Sequence, residues 1–171
     1  LYNVAKDKGF DKIEIGERFQ RIEEIPFDSD RKCMTTFHLF PSYLLTPSLH
    51  PSPLGGEGKG EGEVISFTKG AIDVLIDKSD NILTFDGLKS IDPEELRRVN
   101  DRMAGDGLRV LGVAMRIWDT MPDSVSPENA ETELTLLGLI GMMDPPREEA
   151  KEAVAICKAA GIRPVMITGD H

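Results

Sequence analysis

The sequence predicts an α+β chain that ends in a partial βαβ unit, and three observations support this class. Short apolar or alternating runs, typical of strands, recur between residues 18 and 118. Helix signals separate them, most clearly Asp92 before Pro93, an N-cap residue followed by a proline at the first helical position. Finally, the apolar run 134–143 precedes a helix pattern and a second apolar run, which predicts two parallel strands joined by a helix.

Composition narrows the classes of function. The chain has 30 acidic and 20 basic residues, a formal charge of −10 with no basic stripe, which disfavours a nucleic-acid polymer as partner but allows a single nucleotide held by a few local cations. The cysteines, Cys33 and Cys157, are far apart and fit ordinary thiols in a reducing compartment, and the three histidines lack metal-ligand spacing. No signal peptide is recognisable, and the longest apolar run is shorter than the ~18 residues of a membrane helix, so we expect this part of the protein to be soluble. Leu1 opens in a helical pattern without an initiator Met, and His171 follows directly on a predicted strand, so we expect a fragment of a longer protein.

Local patterns give the elements of the first third of the chain. A helical pattern at the N-terminus ends at Gly9, and alternation over residues 18–27 predicts a strand that Pro26 interrupts. The run 33–40, rich in Thr, Met and Phe, predicts another strand. Residues 41–63 are dominated by Pro, Ser and Gly, so we expect a disordered insertion in the hairpin between this strand and the next.

The insertion contains G-G-E-G-K-G, which is only superficially similar to a phosphate-binding loop. Pro53 stands where the first glycine of that loop belongs, and Gly60 follows Lys59 where a serine or threonine would hold magnesium. We therefore expect no phosphate site in this segment.

The strand that begins at Val64 carries the first candidate ligand-binding residue. Alternation puts Ile65, Phe67 and Lys69 on one face, so Lys69 prolongs an apolar stripe. Lys69 and Gly70 have two interpretations: a strand-end lysine before a turn glycine, or a cation above a pocket floored by Phe67, where the glycine lets a ligand approach closely. The second is favoured by the other candidates along the chain, which are residues 27–32, Arg109 and residues 168–170.

The middle of the chain continues to alternate between helices and strands. The patterns predict a short helix at residues 72–76 and a turn-rich return strand at 77–87. They then predict the helix after Asp92 at 93–105, a strongly apolar strand at 108–118 and a polar connection at 121–133. Arg109 and Arg116 are the charged exceptions on the apolar strand.

The C-terminal βαβ pattern predicts a ligand-binding edge. Residues 134–143 form a continuous apolar run, the pattern of a strand covered on both faces, and 164–168 form the second strand. Asp144 follows the first strand and residues 168–170 end the second, so both loops open on the edge where ligands bind in open α/β sheets. The alternative is two capped loops without a ligand.

Five motifs together resemble the cytoplasmic part of P-type cation-transporting ATPases, most closely the calcium-pump-like type II branch. Each motif is weak alone, but their order and approximate spacing match the family over nearly the whole chain outside the insertion. They are F-D-S-D-R-K at 27–32, F-T-K-G-A at 67–71, L-R-V-L-G-V-A-M-R at 108–116, M-D-P-P-R at 143–147 and M-I-T-G-D at 166–170.

The resemblance implies a fold and a division into domains. Residues 1–133 would form a nucleotide-binding domain, an antiparallel sheet flanked by helices, and residues 134–171 the truncated start of a haloacid-dehalogenase-like phosphorylation domain. The parent would be a membrane pump with an actuator domain and transmembrane helices, and this part would lie at the cytoplasmic face of the membrane. ATP, with Mg²⁺ in the full-length pump, would be its ligand.

The resemblance also implies roles for individual residues. Phe27 would stack on adenine, Lys32 would reach the nucleotide, Lys69 would lie deep in the adenine pocket, and Arg109 would contact the phosphates. Thr168, Gly169 and Asp170 match the T-G-D loop of the phosphorylation domain, and Asp144 matches the D-P-P-R aspartate. These roles suit the chemistry, because an aromatic ring can cover the apolar face of adenine and cations can hold a triphosphate. The alternatives are a core role for Phe27 and solvated pairing of Arg31 and Lys32 with Asp28 and Asp30.

Departures from the family pattern limit the expected activity. Ser29 replaces a second cation of the first motif, whose phosphate contact would be missing or supplied by Arg31. The chain lacks the D-K-T-G-T aspartate, the later lysine and the G-D-G-x-N-D magnesium loop. We therefore expect no catalytic or metal-ligating residue here, and a fragment that binds ATP without turning it over.

The sequence is also compatible with two rival functions. One is a soluble haloacid-dehalogenase-like phosphatase with a cap domain, which would show no adenine selectivity. The other is a non-catalytic interaction module that has lost nucleotide binding, for example through the insertion.

Overall fold

The computed structural model describes residues 2–40, 63–143, 147–165 and 167, which form six helices and seven strands. The helices are α1 Tyr2–Asp7, α2 Lys12–Arg18, α3 Ile72–Asp77, α4 Pro93–Gly105, α5 Pro127–Ala130 and α6 Glu148–Ala159. The strands are β1 Arg21–Asp28, β2 Cys33–Phe40, β3 Glu63–Gly70, β4 Ser79–Thr84, β5 Gly87–Ser90, β6 Arg109–Trp118 and β7 Leu134–Met142. The class is α+β, as predicted.

All seven strands form one sheet in the order β1-β2-β3-β6-β7-β4-β5. Neighbouring strands are antiparallel except β4 and β7, which run parallel with Ser79 opposite Leu134. The expectation of a purely antiparallel sheet is therefore corrected to a mixed one. A hydrogen bond from the Leu134 amide to the Lys78 carbonyl, 2.9 Å long, sets the start of β7 beside the start of β4.

β7, which the sequence analysis assigned to a second domain, is an interior strand of this sheet. It pairs with β6 on one side and β4 on the other. Its Leu134 and Leu136 are fully buried against Leu75 and Ala114. The predicted cover on both faces is only partial, because residues 137–142 are half-buried.

The predicted βαβ unit is not confirmed. α6 forms, but none of its side chains is buried, and the described residues among 162–167 have no regular structure and are exposed. Because both edges of β7 are already paired, a second strand cannot join it directly. Asp144, Thr168, Gly169 and Asp170 lie outside the described residues, as does the expected insertion except for Glu63, the first residue of β3.

Helices cover one face of the sheet, whereas the other face, called the open face below, is buried at Ile65 and Met115 and exposed at Lys69. α3 and α4 pack over β6, β7 and β4 through a core of Ile72, Leu75, Ile76, Ala114, Leu134 and Leu136. A second cluster, Ile25, Phe37, Val64 and Ala130, lies beneath β1–β3, where α5 and the chain leading to it supply the cover. Helices on one side leave the side chains of the other side available for a site.

Several element boundaries follow directly from local chemistry. Asp92 caps α4 as predicted and accepts a 3.0 Å hydrogen bond from the Glu95 amide. Gly107, two residues after the end of α4, turns the chain toward β6 with a φ of 78°. α2 was missed, although Asp11 caps it with a 2.8 Å bond from the Ile13 amide. Residues 77–87 and their neighbours form the hairpin β4–β5 rather than a single return strand.

Among the described residues, no helix has the length and apolar character to span a membrane.

Candidate functional site

Four sequence-distant segments meet at one end of the sheet. In this mostly antiparallel arrangement, the carboxyl ends of β1, β3 and β7 lie beside the amino ends of β2 and β6. A pocket of about 490 Å³ opens there. That volume is within the range of small-molecule sites, roughly 300–1,000 Å³.

The pocket brings together all four nucleotide-site residues predicted from the described part of the chain: Phe27, Lys32, Lys69 and Arg109. The rest of its wall comes from Met34, Gly70, Ala71, Val110, Leu111 and Met142. No acidic residue of the described part lines it, although the chain has 30. We call this site the cationic pocket.

A bulge in β1 aims Phe27 into the cationic pocket. Ile25 pairs with Thr35 and Asp28 with Cys33, so three steps along β1 oppose two along β2. The extra residue reverses the alternation: Ile25 faces the core, whereas Phe27 faces the open side and is 63% exposed. Phe27 is therefore not a core residue.

Lys32 reaches the cationic pocket from the β1–β2 turn. Its φ of 53° is unusual for a residue with a side chain, and its amide donates a 2.7 Å hydrogen bond to the Asp28 carbonyl. Asp28 stabilises the same turn, because its carboxylate accepts from the amides of Asp30 and Arg31, each at 2.9 Å. These two amides lower the pKa of Asp28.

Lys69 lies on the open face, as predicted, while Gly70 has a structural reason to be glycine. Lys69 pairs with Met34 on β2 and Val113 on β6, so these side chains share the open face of the sheet. A Cβ at Gly70 would lie 2.5 Å from both the Lys32 carbonyl oxygen and the Cys33 Cβ. The glycine lets the β1–β2 turn approach β3, where the Ala71 amide donates to the Lys32 carbonyl at 3.0 Å.

The two arginines of β6 differ in what they contact. Arg116 lies over the Trp118 ring at 4.1 Å, donates to the Thr132 carbonyl at 3.0 Å and pairs with Glu133 at 2.6 Å. Arg109 is exposed at the cationic pocket. Within the described ranges, Arg109, Lys32 and Lys69 form no ion pair, so their charges are available to a ligand.

A second cavity, of about 410 Å³, adjoins the cationic pocket along β2 and β3. Met34 and Lys69 line both cavities, and Phe67 lines the second one. Lys69 therefore lies between the two cavities, and Phe67, the predicted floor of the ligand pocket, lines the second cavity and not the cationic pocket.

Comparison with known proteins decides the family. Residues 1–149 match the family model described as P-type ATPase, cytoplasmic domain N. The chain belongs to this N-domain family. Calcium-transporting ATPase 1 of Bacillus cereus is 36% identical over 99% of the chain, the calcium-transporting ATPase of Bacillus subtilis 36% over 100%, and the cation-transporting ATPase pma1 of Synechocystis 35% over 100%. The chain spans 16–17% of the length of these relatives.

A buried carboxylate that the sequence analysis missed lies behind the site of this N domain. Glu131, which the sequence places in a polar connection, is fully buried. Its Oε1 forms an ion pair with Arg31 and accepts from the Thr35 hydroxyl at 3.2 Å. Its Oε2 accepts from the Cys33 thiol at 3.3 Å and lies 3.5 Å from the Lys78 Nζ.

This cluster corrects the role considered for Arg31. Partial burial alone would lower the pKa of Arg31, but the hydrogen bond and charge of Glu131 outweigh it and raise the pKa. Arg31 is therefore engaged on the covered side of the N-domain sheet and does not replace the cation missing at Ser29. Nor does it form the solvated pair with Asp28 or Asp30.

The signal for this cluster is visible in the strands. Cys33, Thr35 and Thr68 place small polar groups on the covered face, where large apolar residues are the usual choice, and all three are fully buried. Burial, followed by the hydrogen bond to Glu131, raises the pKa of Cys33 to about 11, so its thiol is inert at neutral pH. The described residues of the N domain contain no cluster suited to a metal ion.

Proposed function

We propose that this chain binds ATP in the cationic pocket, as the nucleotide-binding domain of a cation-transporting P-type ATPase. The observation that carries the proposal is an exposed aromatic ring and three cations, none of them ion-paired with a described residue, that line one pocket of a chain with a net charge of −10. The adenine ring would stack on Phe27, with Lys69 beside it. Lys32 and Arg109 would hold the phosphates.

The relatives indicate the activity of the whole protein. Two of those named above are calcium-transporting ATPases and one a cation-transporting ATPase. We propose that the intact pump transfers the γ-phosphate of Mg²⁺-bound ATP to an aspartate of a neighbouring domain, and that domain closure drives cation movement. Its transmembrane helices and actuator domain would be partners of this chain.

We further propose that the chain alone does not hydrolyse ATP. Its sequence contains no D-K-T-G-T, so it lacks the nucleophile of phosphoryl transfer. Residues 134–171 remain our proposal for the approach to a haloacid-dehalogenase-like phosphorylation domain, with Thr168, Gly169 and Asp170 acting at the phosphates. With β7 in the sheet, the domain boundary would follow Met142.

Substitution of Lys69 tests the binding proposal. Lys69→Met removes the charge but keeps most of the side-chain volume, and we expect ADP affinity to fall about tenfold or more, the loss typical of a charged hydrogen bond. Isothermal titration calorimetry measures it. Lys89→Met is the matched control, because Lys89 pairs with Asp86 at 2.7 Å in the β4–β5 hairpin and does not line the pocket. Equal ADP affinity in the wild type and Lys69→Met would overturn the proposal.

A further inference from the structure

A fully buried carboxylate, that of Glu131, lies behind the proposed nucleotide site. Glu131 comes from the end of α5 and contacts Arg31, about a hundred residues earlier in the chain. All four side chains that surround its carboxylate can donate a hydrogen bond or carry positive charge. Both carboxylate oxygens therefore have hydrogen-bond partners. In a Glu131→Gln variant the side-chain NH2, itself a donor, would face the donors that now surround the carboxylate.

Arg31 extends this contact to the strand that carries Phe27. While Nη1 pairs with Glu131, Nη2 donates a 2.7 Å hydrogen bond to the Pro26 carbonyl. Pro26 lies within the β1 bulge, where it has no amide to offer the sheet and its ring is tolerated on an edge strand. The fork of one guanidinium thus joins a buried anion to the bulge.

Both neighbours of this contact are pocket residues. Phe27 follows Pro26, and Lys32 follows Arg31 with its unusual positive φ. Fixing the Pro26 carbonyl and the Arg31 side chain from behind therefore fixes where the ring and the ammonium group project on the open face.

We infer that Glu131, acting through Arg31, is a positioning residue that pre-organises Phe27 and Lys32 for nucleotide. This inference rests on the proposed function and deepens it, because neither Glu131 nor Arg31 lines the pocket. Pre-organisation raises affinity by removing the ordering cost at binding. The contacts Glu131–Arg31–Pro26 are called the Glu131 clamp below.

The chain offers a milder variant and a matched control. Arg31→Lys keeps a cation beside the buried carboxylate but removes the second arm of the fork to the Pro26 carbonyl. Glu131→Gln breaks the clamp at its other end. Lys78→Met is the control, because Lys78 contacts the same carboxylate and the Glu131 carbonyl but does not reach β1 or the turn.

Amide hydrogen exchange without nucleotide tests the clamp itself. The reporters are the Lys32 amide, bonded to the Asp28 carbonyl, and the Ala71 amide, bonded to the Lys32 carbonyl. We expect Arg31→Lys and Glu131→Gln to speed exchange of both by about tenfold, a typical coupling for contacting residues, and Lys78→Met to leave them unchanged. The clamp would be overturned if both amides exchanged in Arg31→Lys at the wild-type rate, or if they exchanged in Lys78→Met as fast as in Arg31→Lys.

ADP affinity of the same variants separates the clamp from the proposed function. Arg31→Lys and Glu131→Gln should bind ADP about tenfold more weakly, and Lys78→Met as tightly as the wild type. If the wild type fails to bind ADP while exchange responds as expected, the proposed function fails and the clamp stands as a structural device. The positioning role is overturned if the wild type binds ADP and Arg31→Lys, despite faster amide exchange, binds ADP with the same affinity.

Discussion

At the scale of single residues, the pocket depends on small departures from regular geometry. One extra residue in β1 turns Phe27 away from the core, and one left-handed residue, Lys32, reverses the chain into β2. Gly70 accommodates that turn. These three features lie where the four candidate residues converge, and each of them shapes the wall of the pocket.

Gly70 gives a direct stability test of this geometry. Gly70→Ala places a Cβ 2.5 Å from the Lys32 carbonyl oxygen and should destabilise the fold by about 1–3 kcal/mol, the typical cost of overpacking. Gly16→Ala is the control: Gly16 lies in α2 with nothing within 4 Å, so alanine should leave stability unchanged or raise it by up to about 1 kcal/mol. Urea denaturation measures both, and equal stability of the two variants would refute the close approach.

Cys33 predicts a specific loss of stability at high pH. Its pKa rises from 9.0 to about 11 on folding, so between these values the unfolded chain loses the thiol proton while the folded chain keeps it. The unfolded state then binds fewer protons, and this contribution to stability falls as the pH rises from 9 to about 11. Urea denaturation across that range should show a steeper decline in the wild type than in Cys33→Ala; parallel curves would contradict the shift.

At the scale of elements, strands and helices differ in how firmly they are held. β3 and β6 are interior strands with buried residues, whereas α6 has acidic residues in its first turn but no buried side chain. A helix of 12 residues without tertiary packing is marginal in water, since propensity alone seldom offsets nucleation.

Hydrogen exchange should reveal this difference. We expect the amides of α6 to exchange at least about a hundredfold faster than those of β3 and β6, because local opening of α6 exposes almost no apolar surface. α4, which has Leu96 against the core, is the internal comparison and should exchange more slowly than α6. Protection of α6 equal to that of β3 would show that this helix is packed in solution.

The elements also show what local sequence could and could not reveal. The composition of two short runs located β2 and β6 almost to the residue, and Asp92 with Pro93 located the start of α4, because these signals are local. The sheet partners of β7 could not be read from the sequence, because an apolar run has the same appearance in any sheet and its partners, β6 and β4, are chosen by tertiary packing.

The candidate site, too, could be predicted from the sequence only in part. The family resemblance selected Phe27, Lys32, Lys69 and Arg109, which the structure brings to one pocket. Glu131 could not be found in the same way, because its importance comes from a burial that the sequence of a polar connection does not announce. The ion pair of Arg31 could not be foreseen for the related reason that its partner lies about a hundred residues away.

At the scale of the whole molecule, charge is distributed unevenly. The chain carries a net charge of −10, yet its cationic pocket is lined by three cations and no acidic residue of the described part. Such an arrangement attracts a polyphosphate locally while the rest of the surface repels other polyanions. The sheet supports this pocket, because helices cover one face of the sheet and the pocket lies on the other.

Binding of adenosine phosphates in the cationic pocket can be followed through the backbone amide resonances of the chain during an ADP titration. We expect shifts at Phe27, Lys32, Lys69–Ala71 and Arg109–Leu111, while the resonances of the β4–β5 hairpin stay unchanged. Shifts centred on another surface, or none up to millimolar ADP, would contradict it.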